Sequence, residues 1–274
     1  GRRHIVTAGP FGKNVEDLKL MMQVLAANGQ NHLPELPTTD FDQGESWDGQ
    51  PLQIGYSEHI NGVTIDQEYL EIFQKFLAKV KVTSKGLTKD HPEYNEKEAY
   101  LKYNTLLGFE MGVNNPRFPL MAVGLYTFLR LKYRDHWWAK GMARGMNMSN
   151  AGYARTIDYK DRFSEIYDEF LTRYDLWITP VCPIEAYKHQ KAGKPFTING
   201  KKVGYTEAMG KYAFTTAFSG HPIAVIPIGK KKNGMPVGVQ LHARKWSDKR
   251  LLEIAQHLEA LTDGYEVPGM VKEK

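Results

Sequence analysis

The sequence of 274 residues contains a single cysteine, Cys182. One cysteine cannot close an internal disulfide, so the class of small disulfide-rich secreted domains is excluded, and a cysteine-based zinc site is disfavoured. Cys182 follows an apolar run and precedes Pro183, where a small buried thiol is a more frequent role than a nucleophile. The low cysteine content favours a reducing compartment, and we expect a cytoplasmic protein.

The sequence also lacks a long apolar run and a strong charge of either sign. No stretch approaches the roughly 18 apolar residues that a membrane-spanning helix requires. The 36 Lys and Arg residues against 31 Asp and Glu residues give a net charge of only +5. We therefore expect neither a membrane span nor nucleic-acid binding. The first residue is Gly rather than Met, which predicts a processed or shortened amino terminus.

Common catalytic and metal-binding motifs are absent from the sequence as well. The nine histidines include no pair at the i, i+4 spacing that places two imidazoles on one helix face, so no metal site is predicted. Among the serines, Ser219 in Ser219-Gly220-His221 comes nearest to a hydrolase nucleophile, but adjacent residues do not face one another as a catalytic triad requires. The segment is more typical of a turn into the following strand. The residues alone thus indicate no catalytic residue and no cofactor.

Two hydrophobic periodicities alternate along the chain. Helical spacing predicts helices over 14–28, 65–80, 95–111, 118–137, 149–173 and 205–218, and a last one capped by Ser247. Short apolar runs predict strands over 52–56, 176–179, 223–228 and 237–241. We expect 176–179 and 223–228 to be buried on both faces, the last two strands to form a hairpin, and residues 32–51 and 81–95 to be irregular. This is an α/β pattern, and no linker divides residues 1–274 into two domains.

Several motifs occur in a fixed order. Residues 175–180 are Asp-Leu-Trp-Ile-Thr-Pro, residues 218–227 are Phe-Ser-Gly-His-Pro-Ile-Ala-Val-Ile-Pro, and residues 234–241 are Gly-Met-Pro-Val-Gly-Val-Gln-Leu. Gly9-Pro10, followed by 15–18, opens the chain. In order and spacing these motifs resemble the amidase signature family, with the weakest match between residues 30 and 115. The resemblance implies an α/β/α sandwich on a mixed sheet that hydrolyses amide bonds with a Ser, cis-Ser, Lys triad and no metal or organic cofactor.

The sequence departs from this family in two places. The family's Gly-Gly-Ser-Ser-Gly-type stretch and its catalytic lysine precede the Gly-Pro segment, so we expect the fold to be incomplete in this chain and the triad to lie upstream of it. The asparagine that relatives often carry three residues before the Gly of the Gly-x-Pro turn is Ala217 here. The expected partner is the amino-terminal portion of the same amidase, as a separate chain or a missing segment. A small-molecule amide is the expected substrate, and a homodimer is left open.

The resemblance also indicates residues of the substrate pocket. By register with the Gly220-His221-Pro222 turn, Glu207 and Gly210 are expected on the helix face that lines the pocket in relatives, and Arg144 is a candidate for binding a polar substrate group. Each has a structural alternative: a surface Glu, a helix-packing Gly and an exposed Arg. In amidotransferases of this family, charged groups in this region hold the substrate glutamine. Because Gly210 cannot supply a carboxylate there, the resemblance favours a free-standing amidase. The alternatives are the A-type subunit of a glutamine-dependent aminoacyl-tRNA amidotransferase and a non-catalytic binding module.

Overall fold

The computed structural model describes residues 4–5, 7–26, 41–112 and 118–267. The helices in these segments are α1 Val15–Ala26, α2 Gln67–Thr83, α3 Glu96–Gly112, α4 Phe118–Tyr133, α5 His136–Met146, α6 Asn150–Phe170, α7 Tyr205–Gly210, α8 Phe214–Ser219 and α9 Asp248–Glu259. The strands are β1 Gln53–Tyr56, β2 Gly86–Lys89, β3 Leu176–Pro180, β4 Phe196–Ile198, β5 Lys201–Val203, β6 Ile223–Lys230 and β7 Pro236–His242. None of the described helices is long and apolar enough to cross a bilayer.

Five strands form a mixed sheet in the order β2-β1-β3-β7-β6. Strand β1 runs parallel to both β2 and β3, whereas β7 runs antiparallel to both β3 and β6. Four strands therefore point the same way and β7 points the opposite way. The predicted mixed sheet is confirmed, as is the hairpin that joins β6 to β7 through the turn at Asn233-Gly234.

Helices cover both faces of this sheet, which confirms the predicted sandwich. One face packs against α1, α2 and α9 in a cluster dominated by aliphatic side chains. The other face packs against α3, α6 and α8 in a cluster dominated by aromatic rings. Strand β3 contributes to both, because its side chains alternate: Leu176 and Ile178 belong to the aliphatic cluster and Trp177 to the aromatic one. All five residues of β3 are buried, as expected for a central strand.

Helices α3 and α5 approach each other unusually closely because glycines line their contact. A Cβ added at Gly145 would lie 2.0 Å from the carbonyl oxygen of Thr105, and one added at Gly108 would lie 2.4 Å from the carbonyl oxygen of Met142. Neither position could hold a larger residue without displacing backbone. The two helices therefore form a rigid pair on which the second of the two cavities described below is built.

The predicted helix over 118–137 is wrong in its extent. The chain breaks at Arg134, whose φ is +55°, and a new helix starts at His136. Asp135 caps that helix, since its carboxylate accepts a hydrogen bond from the Trp138 N–H at 2.9 Å. The Asp135 side chain thus offers the backbone an alternative to continuing the first helix.

Three further predictions need correction. Residues 81–95 are not wholly irregular, because they contain β2, and the helix over 205–218 is two short helices, α7 and α8, separated at 211–213. Strand β6 is not buried on both faces: it is the last strand of the described sheet, its burial alternates, and Val225 is 51% exposed. The hairpin of β4 and β5 was not predicted, although Asn199-Gly200, with φ of +48° and +78°, is a known hairpin signal.

The remaining helices and strands lie where the sequence predicted them, within a few residues. The predicted end of the first helix, at 27–28, lies outside the described residues, as do residues 32–40 of the predicted loop over 32–51. The described part of that loop includes a short 3-10 helix at Phe41–Gln43.

Candidate substrate pocket

A cavity of about 1190 Å³ opens at the amino end of β6. Its wall is formed by residues 7–10, by α1, by the middle of α6, by the start of α9 and by the turn from α8 into β6. Gly220 ends α8 with φ of +74°, a left-handed conformation that favours glycine. Ala217 lines the same wall.

Three ionisable side chains meet beside this turn. The Nε2 atom of His221 lies 3.0 Å from Oδ1 of Asp168, and the Nζ atom of Lys245 lies 2.8 Å from Oδ2 of the same carboxylate. The His221 ring is fully buried, and this burial lowers its pKa even though Asp168 opposes the shift. His221 is thus held as a neutral ring, bonded through Nε2 to a half-exposed carboxylate.

The arrangement is not a serine catalytic triad. The Ser219 hydroxyl donates to the Thr216 carbonyl at 3.3 Å and is buried, so it does not face the His221 ring nitrogens as a nucleophile would. Ser164 on α6 donates in turn to the Ser219 carbonyl at 2.8 Å and ties α6 to the turn. The prediction that Ser219-Gly220-His221 is a turn into the strand is confirmed.

Lys160 is a partly buried charge in the cavity wall. Its side chain is half-buried on α6, and its Nζ atom lies 4.0 Å from the position that a Cβ would take at Gly220. Within the described residues it makes no hydrogen bond or ion pair. Burial lowers the pKa of its ammonium group, with Asp161 opposing and Lys245 reinforcing the shift. The cavity therefore combines a hydroxyl-lined turn with an unpaired amine.

Two α6 residues of this wall, Lys160 and Ser164, share a spacing with the neighbouring Asp168 that is visible in the sequence. Lys160, Ser164 and Asp168 follow one another at intervals of four residues, which places them on one face of a helix. The intervals were visible, but nothing in the sequence indicated that this face would meet the α8–β6 turn. Among the described residues, no group of three His, Cys, Asp or Glu side chains is arranged to hold a metal ion.

The predicted pocket residues Glu207 and Gly210 lie together on α7, and neither lines the large cavity. The Glu207 carboxylate accepts from the Gly204 N–H at 3.2 Å and pairs with Lys211 at 2.9 Å, so both of its oxygens are engaged. Gly210 faces open space: a Cβ added there would find only the Tyr100 hydroxyl within 4 Å, at 3.6 Å.

A buried polar network that sequence reasoning missed lies beside α7. The hydroxyls of Tyr100 and Thr206 donate to the same carboxylate oxygen of Asp135, at 3.0 Å and 2.9 Å. Burial, reinforced by Asp135, raises the pKa of Tyr100 well above its ordinary value, so this phenol is a permanent donor at neutral pH. The network fixes α7 against α3 and α5.

Arg144 and Cys182 lie apart from both the large cavity and the hydrogen-bond network of Asp135. Arg144 is exposed on α5 and lines a separate cavity of about 300 Å³ between α3, α5 and α6. The Cys182 thiol donates to the Ile184 carbonyl at 2.6 Å, and burial raises its pKa. A raised pKa disfavours the nucleophilic thiolate, which agrees with the predicted role as a small packing residue.

The fold defines the class of protein: it is that of the amidase signature enzymes. A bacterial aryl acylamidase of that family superimposes with a TM-score of 0.69 and 16% identity over 95% of this chain and 55% of its own. The 6-aminohexanoate cyclic dimer hydrolase, complexed with substrate, superimposes with a TM-score of 0.64 and 17% identity over 91% of this chain and 54% of its own. The A-type subunit of the glutamyl-tRNA(Gln) amidotransferase from Thermotoga maritima superimposes with a TM-score of 0.62 and 19% identity over 95% of this chain and 55% of its own.

The sequence comparisons agree with the structural ones. The family model described as Amidase matches residues 2–252, and the chain belongs to the amidase signature family. Curated relatives include the A-type subunits of two glutamyl-tRNA(Gln) amidotransferases. The one from Alkaliphilus metalliredigens is 24% identical over 92% of this chain and 53% of the relative, and the one from Lawsonia intracellularis is 25% identical over 92% and 54%. The chain spans about half the length of the curated relatives it matches.

Proposed function

We propose that this chain is the carboxy-terminal portion of an amidase that hydrolyses the C–N bond of a small carboxamide, and that the Ser, cis-Ser, Lys triad lies on a segment outside it. The observation that carries this proposal is the large cavity at the amino end of β6, lined by residues 7–10 and by the Gly220 turn. Both segments carry motifs by which the chain resembles the family. We further propose that residues 1–274 form part of one larger domain, in a cytoplasmic protein.

The hydrogen bonds of the serines support a triad located elsewhere. Within the described part of the chain, no serine hydroxyl is hydrogen-bonded to a lysine ammonium, which is the contact that the triad requires. Four buried or part-buried hydroxyls donate instead to backbone carbonyls: Ser57 to Asp90, Ser164 to Ser219, Ser219 to Thr216, and Ser247 to Arg244. These serines serve the fold, so the proposed reaction takes its nucleophile from outside the described residues.

The exposed edge of β6 supports the proposed partner. No described strand pairs with β6 on the side away from β7, and Val225 on this strand is 51% exposed. An unpaired edge with an exposed apolar residue is a template for addition of another strand. We propose that the amino-terminal portion of the amidase docks here, which would place its catalytic groups beside the cavity.

Neither Glu207 nor Gly210 lines the large cavity, and we propose that both belong to a part of the substrate pocket outside it, with different roles. The engaged carboxylate of Glu207 would hold the first turn of α7 and orient Lys211, whereas the missing side chain of Gly210 would leave room for the acyl group. Arg144 lies in another cavity, so its proposed contact is with a distal polar group rather than with the acyl group.

The A-type amidotransferase polypeptide is the second candidate, because the curated relatives quoted above carry that name. It is disfavoured at Gly210, which supplies no carboxylate for the amino group of glutamine. A non-catalytic binding module is the third candidate. The amidase requires a segment that carries the triad, and the amidotransferase requires a partner subunit and tRNA. The binding module requires neither.

An assay of the purified chain against a panel of amides tests the proposal directly. We expect no turnover by the 274-residue chain alone, and clear turnover would overturn the claim that the triad lies elsewhere. Intact mass spectrometry of the protein from its natural source should then detect a co-purifying amino-terminal piece with a serine that reacts with an alkyl fluorophosphonate. Glutaminase activity that depends on tRNA would favour the amidotransferase, and a lone unreactive chain of 31.2 kDa would favour the binding module.

A further inference from the structure

The smaller cavity, of about 300 Å³, has an unusual charge distribution. Lys102 from α3, Arg144 from α5 and Arg155 from α6 line it, and no Asp or Glu does. The remaining lining side chains are hydroxyl-bearing or apolar, apart from Gly152. Three cations from three different helices therefore surround one concave space without a counter-charge in its wall.

These three cations also lack partners elsewhere. Within the described residues, none of them has a carboxylate oxygen within 4.0 Å, although nine ion pairs of other lysines and arginines are present. The Lys102 ammonium lies 5.4 Å from the centre of the Tyr159 ring, a contact that orients the charge but does not neutralise it. Like charges so grouped repel one another, and an anion bound among them would remove that repulsion.

The backbone beneath these side chains is fixed before any ligand binds. Gly145, the neighbour of Arg144, packs directly on α3, where a Cβ would meet the Thr105 carbonyl oxygen at 2.0 Å. Ser149 caps α6 and accepts the Gly152 N–H at 3.2 Å, so its own hydroxyl hydrogen is free to donate into the cavity. A preorganised set of donors loses less entropy on binding than a mobile set does.

We propose that this cavity binds the phosphate group of a small molecule. A phosphate monoester carries a charge of about −1.5 to −2 at neutral pH and three acceptor oxygens. It can therefore meet donors that come from three helices at once. A single carboxylate is planar, carries one charge and is satisfied by one guanidinium. The site does not depend on the proposed amide hydrolysis, because binding is measured without turnover.

Calorimetric titration of the chain with inorganic phosphate, at constant ionic strength in chloride, tests the proposal. We expect saturable binding, and we expect Arg144→Gln and Arg155→Gln each to weaken it about tenfold, the effect of removing one charge-assisted hydrogen bond. Both arginines are exposed, so these variants should fold. Arg144→Lys should retain more affinity than Arg144→Gln, because it keeps the charge.

Matched controls separate the cavity from general surface charge. Arg130→Gln on α4 and Lys97→Gln on α3 remove exposed cations that do not line the cavity, and both should bind phosphate like the wild type. Equal affinity for malonate would overturn the preference for phosphate. Failure to bind phosphate at 20 mM, roughly twentyfold above a millimolar Kd, would overturn the site. An equal effect of the control variants, or binding of an RNA oligonucleotide without binding of free phosphate, would overturn it as well.

Discussion

Acidification should destabilise this fold through His242, a histidine of β7 that is 1% exposed. Its Nε2 atom lies 2.9 Å from the Thr179 hydroxyl, its ring centre lies 4.6 Å from that of Trp177, and its Nδ1 atom is buried without a partner. No carboxylate among the described residues balances a charge on this ring. Burial, together with nearby His221, lowers the pKa of His242 to about 3.

The sign and size of the effect follow from proton linkage. The pKa of His242 is lower in the folded state than in the unfolded state, where it is about 6.5. At pH values between these two pKa values the unfolded state therefore binds more protons than the folded state. The full contribution to stability is therefore present above pH 6.5 and is lost progressively as the pH falls towards 3. Between pH 7.5 and pH 5.0 the free energy of unfolding should drop by about 2 kcal/mol from His242 alone. His221, whose pKa burial also lowers, adds to the loss in the same direction.

Urea unfolding at the two pH values measures this drop. In His242→Gln, which does not titrate, we expect the difference between pH 7.5 and pH 5.0 to be smaller than in the wild type by about 2 kcal/mol. His91→Gln is the matched control, since His91 is exposed, and should keep the wild-type difference. If His242→Gln and the wild type lost the same free energy on acidification, the reasoning from burial would be refuted.

Three further predictions concern the contact between α3 and α5 and the hydrogen bonds of Tyr100 and Asp175. Gly145→Ala should destabilise the chain by about 1–3 kcal/mol or more through collision with the backbone of α3, whereas Gly124→Ala, with nothing within 4 Å, should cost nothing in the same denaturation assay. Tyr100→Phe should cost about 1–2 kcal/mol because buried Asp135 loses a donor, and an unchanged denaturation midpoint would contradict this. Asp175→Asn should have a lower free energy of unfolding than the wild type at pH 7. The difference between the two proteins should be smaller in acid. Burial raises the pKa of Asp175, but the hydrogen bonds it accepts lower that pKa overall, so its stabilisation is lost as the carboxylate protonates.

The residues of the smaller cavity are far apart in the sequence. The family resemblance singles out Arg144, but Lys102 and Arg155 resemble ordinary surface charges on two helices. Their grouping requires that α3, α5 and α6 converge, which no local pattern reports. The signal is spatial and comes with the cavity.

Local chemistry by itself determined most of the secondary structure of this protein. Apolar spacing predicted most of the helices and four of the five strands of the sheet. The Gly220 and Asn233-Gly234 turns could be predicted because their conformations require particular residues. Where competing local signals existed, as at Arg134 and Asp135, periodicity alone missed the break.

Tertiary structure alone decided which strand stands at the edge, which helix faces meet and which charges remain unpaired. The apolar run of β6 suggested a strand buried on both faces, yet its place in the sheet leaves Val225 half exposed. Lys160, Ser164 and Asp168 shared a helix face in the sequence, but only the fold brought that face to the turn at Gly220. The physical reason is that backbone propensity acts over a few residues, whereas burial and electrostatic pairing depend on contacts between segments far apart in the chain.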